Sequence, residues 1–258
     1  MERAAWGYTI IEVLIVLAIT SAFFGISVLV FGSQRTKTDF SQSMEDVRSK
    51  IQAFATQVQT NSYPDSSAYK CTVVGGNPVV TSAGSPSPGT DCVFLGLAVA
   101  ALPGQNTITS YAVVGDKDDW SSGKDSFTPN TTISLSNTEV AMLSGGLVEN
   151  YQLGSGATVK SVATSDSNGN YPDQGLVGFY NGLSADSYPF VMRAYQCGTG
   201  CTNGQIQACV AESAACPKEL YATQWQICLQ DGHSGNTAQL VVNAASDGVT
   251  TKLNYISC

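Results

Sequence analysis

Charged residues are scarce in this 258-residue chain, because Asp, Glu, Lys and Arg together make up 12% of the sequence. The 12 lysines and arginines are scattered singly from Arg3 to Lys252, and the net charge is −8. Binding to nucleic acid requires basic side chains gathered on one surface, where they release counterions from phosphates. The sequence therefore does not favour nucleic acid as a partner.

Histidine is rarer still, since His233 is the single one in the chain. It precedes Ser234 in the segment DGHSGN, but adjacent residues seldom present a base to a nucleophile, and no nucleophile elbow surrounds this serine. No glycine-rich loop follows a strand and opens a helix, so the signature of a phosphate-binding loop is missing. We therefore predict a plain turn here, and a protein that is not an enzyme and has no catalytic residues and no cofactor.

Two acidic segments invite comparison with calcium sites. Asp166-Ser167-Asn168-Gly169-Asn170 begins like a calcium loop, but its glycine is misplaced and the twelfth position is Val177. The same reasoning applies to the loop with Asp116, Asp118 and Asp119. Both segments are predicted to be solvated turns, and no metal site is expected.

The eight cysteines all follow the apolar N-terminal segment, and their even number is typical of disulfides formed in an oxidising compartment. Four of them lie close enough together for a zinc site, but no histidine is near and their spacing fits poorly. For these four we predict disulfides, with three possible connectivities: Cys197, Cys201, Cys209 and Cys216.

Two further disulfides are suggested by position. Cys71 and Cys92 bracket a glycine-rich, hairpin-like segment, which makes them candidates for one bridge. Cys228 and Cys258 have the same facing in two alternating runs near the C-terminus. If those two strands are neighbours, a bridge would fasten the C-terminus to the sheet.

A long apolar run occupies residues 8–31, with the sequence YTIIEVLIVLAITSAFFGISVLVF. As a helix with a rise of about 1.5 Å per residue it is long enough to cross a bilayer. Glu12 lies inside this run, where a carboxylate is costly and is expected to have a partner or a function. An ordinary membrane anchor and a signal peptide cut near Ala22 are the alternatives, but the run is too long for a signal peptide and carries a carboxylate near its start.

The segment Gly7-Tyr8-Thr9-Ile10-Ile11-Glu12 resembles the N-terminal cleavage and methylation motif of type IV pilins and secretion pseudopilins. In that family a prepilin peptidase cuts after a glycine, and a glutamate follows at the fifth position of the mature chain. The resemblance implies cleavage between Gly7 and Tyr8, N-methylation of Tyr8, and pairing of Glu12 with the α-amine of a neighbouring subunit during assembly. Tyr8 replaces the phenylalanine that is commoner in the family.

This resemblance implies an α+β protein with the pilin fold, in which a long N-terminal helical spine carries an antiparallel β-sheet head stapled by disulfides. The expected segments are a leader at 1–7, a transmembrane and filament-core helix at 8–32, an amphipathic helix at 33–61 and a head at 62–258. Expected partners are a prepilin peptidase, other pilin subunits, a pilus assembly platform and, before assembly, the membrane. The chain would begin as a single-pass membrane protein and end in an extracellular filament at the cell surface.

Beyond the apolar run, the spacing of apolar residues predicts an amphipathic helix. They recur at intervals of 4, 3, 4, 3 and 4 positions, as Phe40, Met44, Val47, Ile51, Phe54 and Val58. Polar residues lie opposite: Asp39, Gln42, Glu45, Asp46, Arg48, Lys50 and Gln52. We expect this stripe to pack on the head and the helix to end near Asn61. A coiled coil is the alternative, but fewer than three heptads are present.

The remainder alternates short β-favouring runs with Gly, Pro, Ser and Asn, a pattern that predicts an antiparallel sheet. The candidate strands are residues 71–80, 92–99, 107–115, 131–135, 158–163, 176–180, 190–195, 224–229, 239–242 and 251–256. Residues 225–232 followed by 238–242 resemble the strand-turn-strand ending of GspH/FimT-type minor pilins and pseudopilins. With the large head, this implies a minor or tip-proximal subunit. A membrane-anchored surface adhesin or binding module is the alternative function.

Overall fold

The structure is a computed structural model that describes residues 9–60, 69–74, 77–82, 92–116, 139–140, 148–166, 169–172, 175–180, 190–196, 201–210, 219–245 and 248–258. The fold is α+β. The helices within the described residues are α1 (Ile10–Gln59) and α2 (Asn203–Val210). Its strands are β1 (Tyr69–Val74), β2 (Asn77–Ser82), β3 (Cys92–Ala101), β4 (Thr107–Asp116), β5 (Glu139–Val140), β6 (Val148–Gln152), β7 (Thr158–Asp166), β8 (Gly169–Pro172), β9 (Leu176–Tyr180), β10 (Val191–Tyr195), β11 (Glu219–Tyr221), β12 (Gln224–Gln230), β13 (Thr237–Ala245) and β14 (Gly248–Asn254).

The described strands form three antiparallel sheets. Strands β1 and β2 make a separate hairpin. The seven-stranded sheet has the order β11-β10-β9-β3-β4-β5, and β6 also pairs with β4. The five-stranded sheet has the order β14-β13-β12-β7-β8. Pairs such as β3 with β9 and β7 with β12 join segments far apart in the chain.

One hydrophobic core joins α1 to both large sheets. The six residues of the predicted stripe are each at most 2% exposed, which confirms that this face packs on the head. Trp225 of β12 meets Phe179 of β9 edge-on, with 6.3 Å between ring centroids. The two sheets therefore meet beside the helix, and each large apolar side chain buried there contributes about 1.5–3 kcal/mol to stability.

A second core lies on the other face of the seven-stranded sheet, under α2. Ile206 and Val210 of α2 are buried there with Tyr180 and Tyr195, whose hydroxyls lie 2.9 Å apart. Helix α2 was not predicted from the sequence. The sequence carries a signal for its start, the T-x-x-Q spacing of Thr202 and Gln205. The backbone amide of Thr202 donates to the Gln205 side chain, and the Gln205 amide donates to the Thr202 hydroxyl, as in a capping box.

Most predicted strands are present with small shifts at their ends, but the single strand predicted at 71–80 is wrong. That segment is the hairpin of β1 and β2, because Gly75-Gly76 separates two pairing runs. The strand predicted at 251–256 is shorter at its end and begins earlier, as β14. Strands β5, β6, β8 and β11 were missed, and the strand predicted at 131–135 lies outside the described residues.

Candidate functional site

The first part of α1 is an apolar helix that no described residue of the head covers. Its apolar segment, Ile10–Ser27, has a mean hydropathy of 2.3 and is 0% buried. Phe23 and Phe24, for example, are 66% and 72% exposed. Eighteen residues of helix span about 27 Å, close to the thickness of a bilayer core. The helix is therefore long and apolar enough to cross a membrane, a property that an anchor shares with a signal sequence.

Glu12 caps the start of this helix. Its carboxylate accepts from the Thr9 backbone amide and hydroxyl, each at 3.3 Å, while the Thr9 hydroxyl accepts from the Glu12 amide. These bonds form a capping box. The T-x-x-E spacing in the sequence indicates such a box, but it was not predicted. The predicted cleavage and methylation residues, Gly7 and Tyr8, lie outside the described residues.

The apolar segment continues into the head without a break, because α1 is one helix of 50 residues. It ends at Gln59, close to the end predicted near Asn61. Thr60 caps it and bonds back to Thr56. Polar groups on α1 also join it to the sheets: Thr251 of β14 donates to Gln52 at 3.0 Å, and Lys50 forms an ion pair with Glu149 of β6.

We call residues 37–46 of α1 the neck, because the helix leaves the head there. Two turns of the head pack on it, one between β6 and β7 and one between β12 and β13. A methyl group on Gly154 would lie 2.9 Å from the Ser43 hydroxyl of the neck. A methyl group on Gly232 would lie 2.5 Å from the Gly156 carbonyl, so the two turns also touch each other.

Asp231 organises the second of these turns. Its carboxylate is fully buried and accepts from the backbone amides of His233 and Ser234 and from the Ser234 hydroxyl. Burial alone would raise the pKa of Asp231, but these hydrogen bonds and the nearby His233 outweigh it and hold the pKa below its ordinary value. The Ser234 hydroxyl thus bonds to Asp231, and the predicted turn at His233 and Ser234 is confirmed.

Two grooves flank the neck, one on each side of the buried stripe. The basic groove, of about 590 Å³, is lined by Lys37, Phe40, Ser41, Thr237, Tyr255 and Ile256, among others. The acidic groove, of about 420 Å³, is lined by Asp39, Gln42, Ser43, Asp46, Ser155 and His233, among others. Burial raises the pKa of Tyr151 on β6, and the charge of Asp46 raises it further.

The C-terminal tail, residues 255–258, forms one wall of the basic groove and is tied down along its length. The predicted disulfide between Cys228 and Cys258 is present. Its premise was wrong, because β13 lies between β12 and β14, and Cys258 lies beyond the end of β14. The tail crosses the start of β13 instead: Thr237 donates to the Ile256 carbonyl at 2.8 Å, and Lys160 to that of Cys258 at 2.7 Å.

The other predicted cysteine pairings are covered in part. Cys201 and Cys209 are each disulfide-bonded, which confirms disulfide formation rather than zinc ligation for these two. Cys197 and Cys216 lie outside the described residues, as do the side chains of Cys71 and Cys92. Within the described part of the chain, no group of three His, Cys, Asp or Glu side chains is arranged to hold a metal ion.

The acidic segments that were compared with calcium loops are strand ends where they are described. Asp166 is the last residue of β7 and pairs with Gly169, the first residue of β8. Asp116 is the last residue of β4, and Asp118 and Asp119 lie outside the described residues.

The chain matches no protein-family model, no curated protein and no solved structure. Its function therefore has to be argued from its own residues and geometry.

Proposed function

We propose that this chain is a structural subunit of a type IV pilus or a related filament, processed by a prepilin peptidase and assembled through α1. A single feature carries the proposal: one 50-residue helix is wholly exposed and apolar over Ile10–Ser27 and buries a stripe in the head beyond residue 37. An apolar surface of this size needs lipid or other apolar helices around it. A filament core built from such helices supplies that cover once a subunit has left the membrane.

The α+β architecture supports the proposal. A long N-terminal spine with an antiparallel β-sheet head and a disulfide at the C-terminus is the arrangement expected of a pilin. The continuity of α1 favours an anchor over a removable signal peptide, since a cut near Ala22 would divide the helix and leave the exposed apolar side chains of Phe23, Phe24 and Ile26 on the secreted chain. The minor or tip-proximal position implied by residues 225–242 stays a prediction.

Glu12 is the proposed assembly residue. In the single chain its carboxylate bonds Thr9, which lowers the cost of carrying it in an apolar helix. Cleavage between Gly7 and Tyr8 would create a new amine in the same region. The carboxylate of one subunit and the amine of the next would then neutralise each other where water is excluded.

The test is intact-mass and N-terminal analysis of the full chain, expressed with and without a prepilin peptidase, for wild type and Gly7→Ala. We expect a Tyr8 N-terminus only with the peptidase, and none for Gly7→Ala. Glu12→Ala should be cleaved normally yet fail to appear in sheared filaments, whereas Ile15→Ala, a nearby change without a charge, should assemble. An uncleaved chain would instead support a membrane-anchored binding module, and a cut near Ala22 a secreted protein.

A further inference from the structure

We infer that the neck is an interface between copies of this chain, in which Lys37 of one copy docks against Asp39 and Asp46 of the next. This rests on the proposed filament function and names the partner and the contact. The occupant of each groove is the opposite side of a second neck.

The first step concerns charges that lack a counterpart in the described structure. Three charged side chains of α1, at the C-terminal end of the neck and just beyond it, have partners. Glu45 and Arg48 form an ion pair at 3.0 Å, and Lys50 forms one with Glu149 of β6. Lys37, Asp39 and Asp46 are exposed, and none of them forms an ion pair with a described residue.

The second step concerns their placement. Nine residues of helix turn through about 900°, so Lys37 and Asp46 point in opposite directions from the helix axis. Lys37 lines the basic groove, and both carboxylates line the acidic groove. One chain therefore carries two complementary surfaces on opposite sides of the same rod.

The third step is symmetry. A two-fold dimer joins the same face of both necks, so a two-fold contact through either groove would bring like charges together, and like charges repel. A head-to-tail contact joins the basic side of one neck to the acidic side of the next, and it extends into a filament when the rotation between copies does not close a ring. This geometry is the one a filament requires.

Apolar surface beside Lys37 adds to the contact. Tyr255 and Ile256 of the C-terminal tail are 53% and 47% exposed in the basic groove. The tail is held there by the Cys228–Cys258 disulfide and by a 2.7 Å hydrogen bond between the Tyr255 and Ser41 hydroxyls. A fixed apolar wall next to one cation suits a protein partner, because charge gives orientation and apolar area gives affinity.

An anionic membrane surface is the competing partner. It would attract Lys37 but repel Asp39 and Asp46 on the same short stretch of helix. A second copy satisfies both signs at once, so the charges favour it.

The first experiment is charge reversal in the full chain, assembled with its peptidase and scored by sheared filament yield. Lys37→Glu and Asp46→Lys should each lower the yield by about tenfold, because like charges then face each other across every contact. The double variant should regain most of the wild-type yield. Lys252→Glu is the matched control, since it makes the same charge change on β14, away from both grooves, and should assemble normally.

The second experiment maps the contact with a zero-length carbodiimide, which joins an amine to a carboxylate. Filaments made from a mixture of isotopically light and heavy chains should give mixed cross-linked peptides that join Lys37 to Asp39 or Asp46. A cross-link between Lys37 and Asp46 would indicate an axial offset of about 13 Å between neighbouring helices. A cross-link between Lys37 and Asp39 would indicate an offset of about 3 Å.

The outcomes separate the two proposals. A wild-type chain that forms no filament would overturn the proposed function and this contact together. Filaments that tolerate both single reversals, or in which Lys37 cross-links to a different protein, would overturn the contact alone.

Discussion

Removing the Cys228–Cys258 disulfide should destabilise the head by a calculable amount. The bridge closes a loop with a sequence separation of 30 residues. For a loop of that length, the loss of unfolded-state entropy corresponds to about 3.6 kcal/mol at 25 °C. The double variant Cys228→Ala/Cys258→Ala avoids a lone thiol that could exchange with the other disulfides. We expect its free energy of unfolding to fall by about 3–4 kcal/mol.

The assay is urea denaturation of the full chain in detergent, followed by circular dichroism and by tryptophan fluorescence, which reports on buried Trp225. Thr237→Val is the comparison, because it removes one hydrogen bond from the tail and leaves the cross-link intact. It should cost about 0.5–1.5 kcal/mol. A loss of less than about 1 kcal/mol in the double cysteine variant would refute the reasoning, since the tail would then be held by its non-covalent contacts alone.

Two further predictions concern helix α1 and the turn between β12 and β13. Ile51→Ala should lower the free energy of unfolding by about 2–5 kcal/mol, because Ile51 is fully buried. Ile15→Ala, at a 54% exposed position on the same helix, should leave the stability of the head unchanged. Equal effects of the two substitutions in urea denaturation would show that the stripe is not part of the head core. Asp231→Asn should cost about 1–3 kcal/mol at neutral pH. Because the folded-state pKa of Asp231 is lowered, its contribution to stability is present above the ordinary value of 3.8 and is lost as pH falls through the folded pKa. The difference in free energy of unfolding between wild type and Asp231→Asn should therefore narrow in acid. A difference independent of pH would contradict this account.

The parts of the structure that local sequence determines were the ones predicted. The stripe from Phe40 to Val58 follows from helical periodicity alone, and all six of its residues are buried. Strand β9 was predicted with its observed ends, because a short apolar run bounded by breakers needs no distant partner to be recognised. The sheet order was beyond such reasoning, since β7 pairs with β12 and β3 with β9 across long stretches of chain.

The neck also combines a feature that local sequence determines with one that depends on distant parts of the chain. Its charged residues were visible in the sequence as the polar face of a helix, but their grouping into a basic and an acidic groove depends on turns that come from residues 153–157 and 231–236. The Cys228–Cys258 bridge shows how a correct pairing can rest on a wrong premise: Cys228 lies in β12 and Cys258 in the tail beyond β14, but β13 lies between those two strands. Only long-range pairing determines which strand lies between them.

Carrying the proposed membrane anchor and the spine of the head in one helix would constrain how the proposed filament grows. Each large apolar side chain left in water costs about 1.5–3 kcal/mol, so a subunit has to pass directly from lipid to a filament interior. Apolar packing is non-directional and would accept several axial offsets between neighbouring helices. The neck charges discriminate among those offsets, because only some of them bring Lys37 to the acidic side of the next subunit. The apolar segment would then hold the subunits of the filament together, and the neck would fix the axial offset between neighbouring subunits.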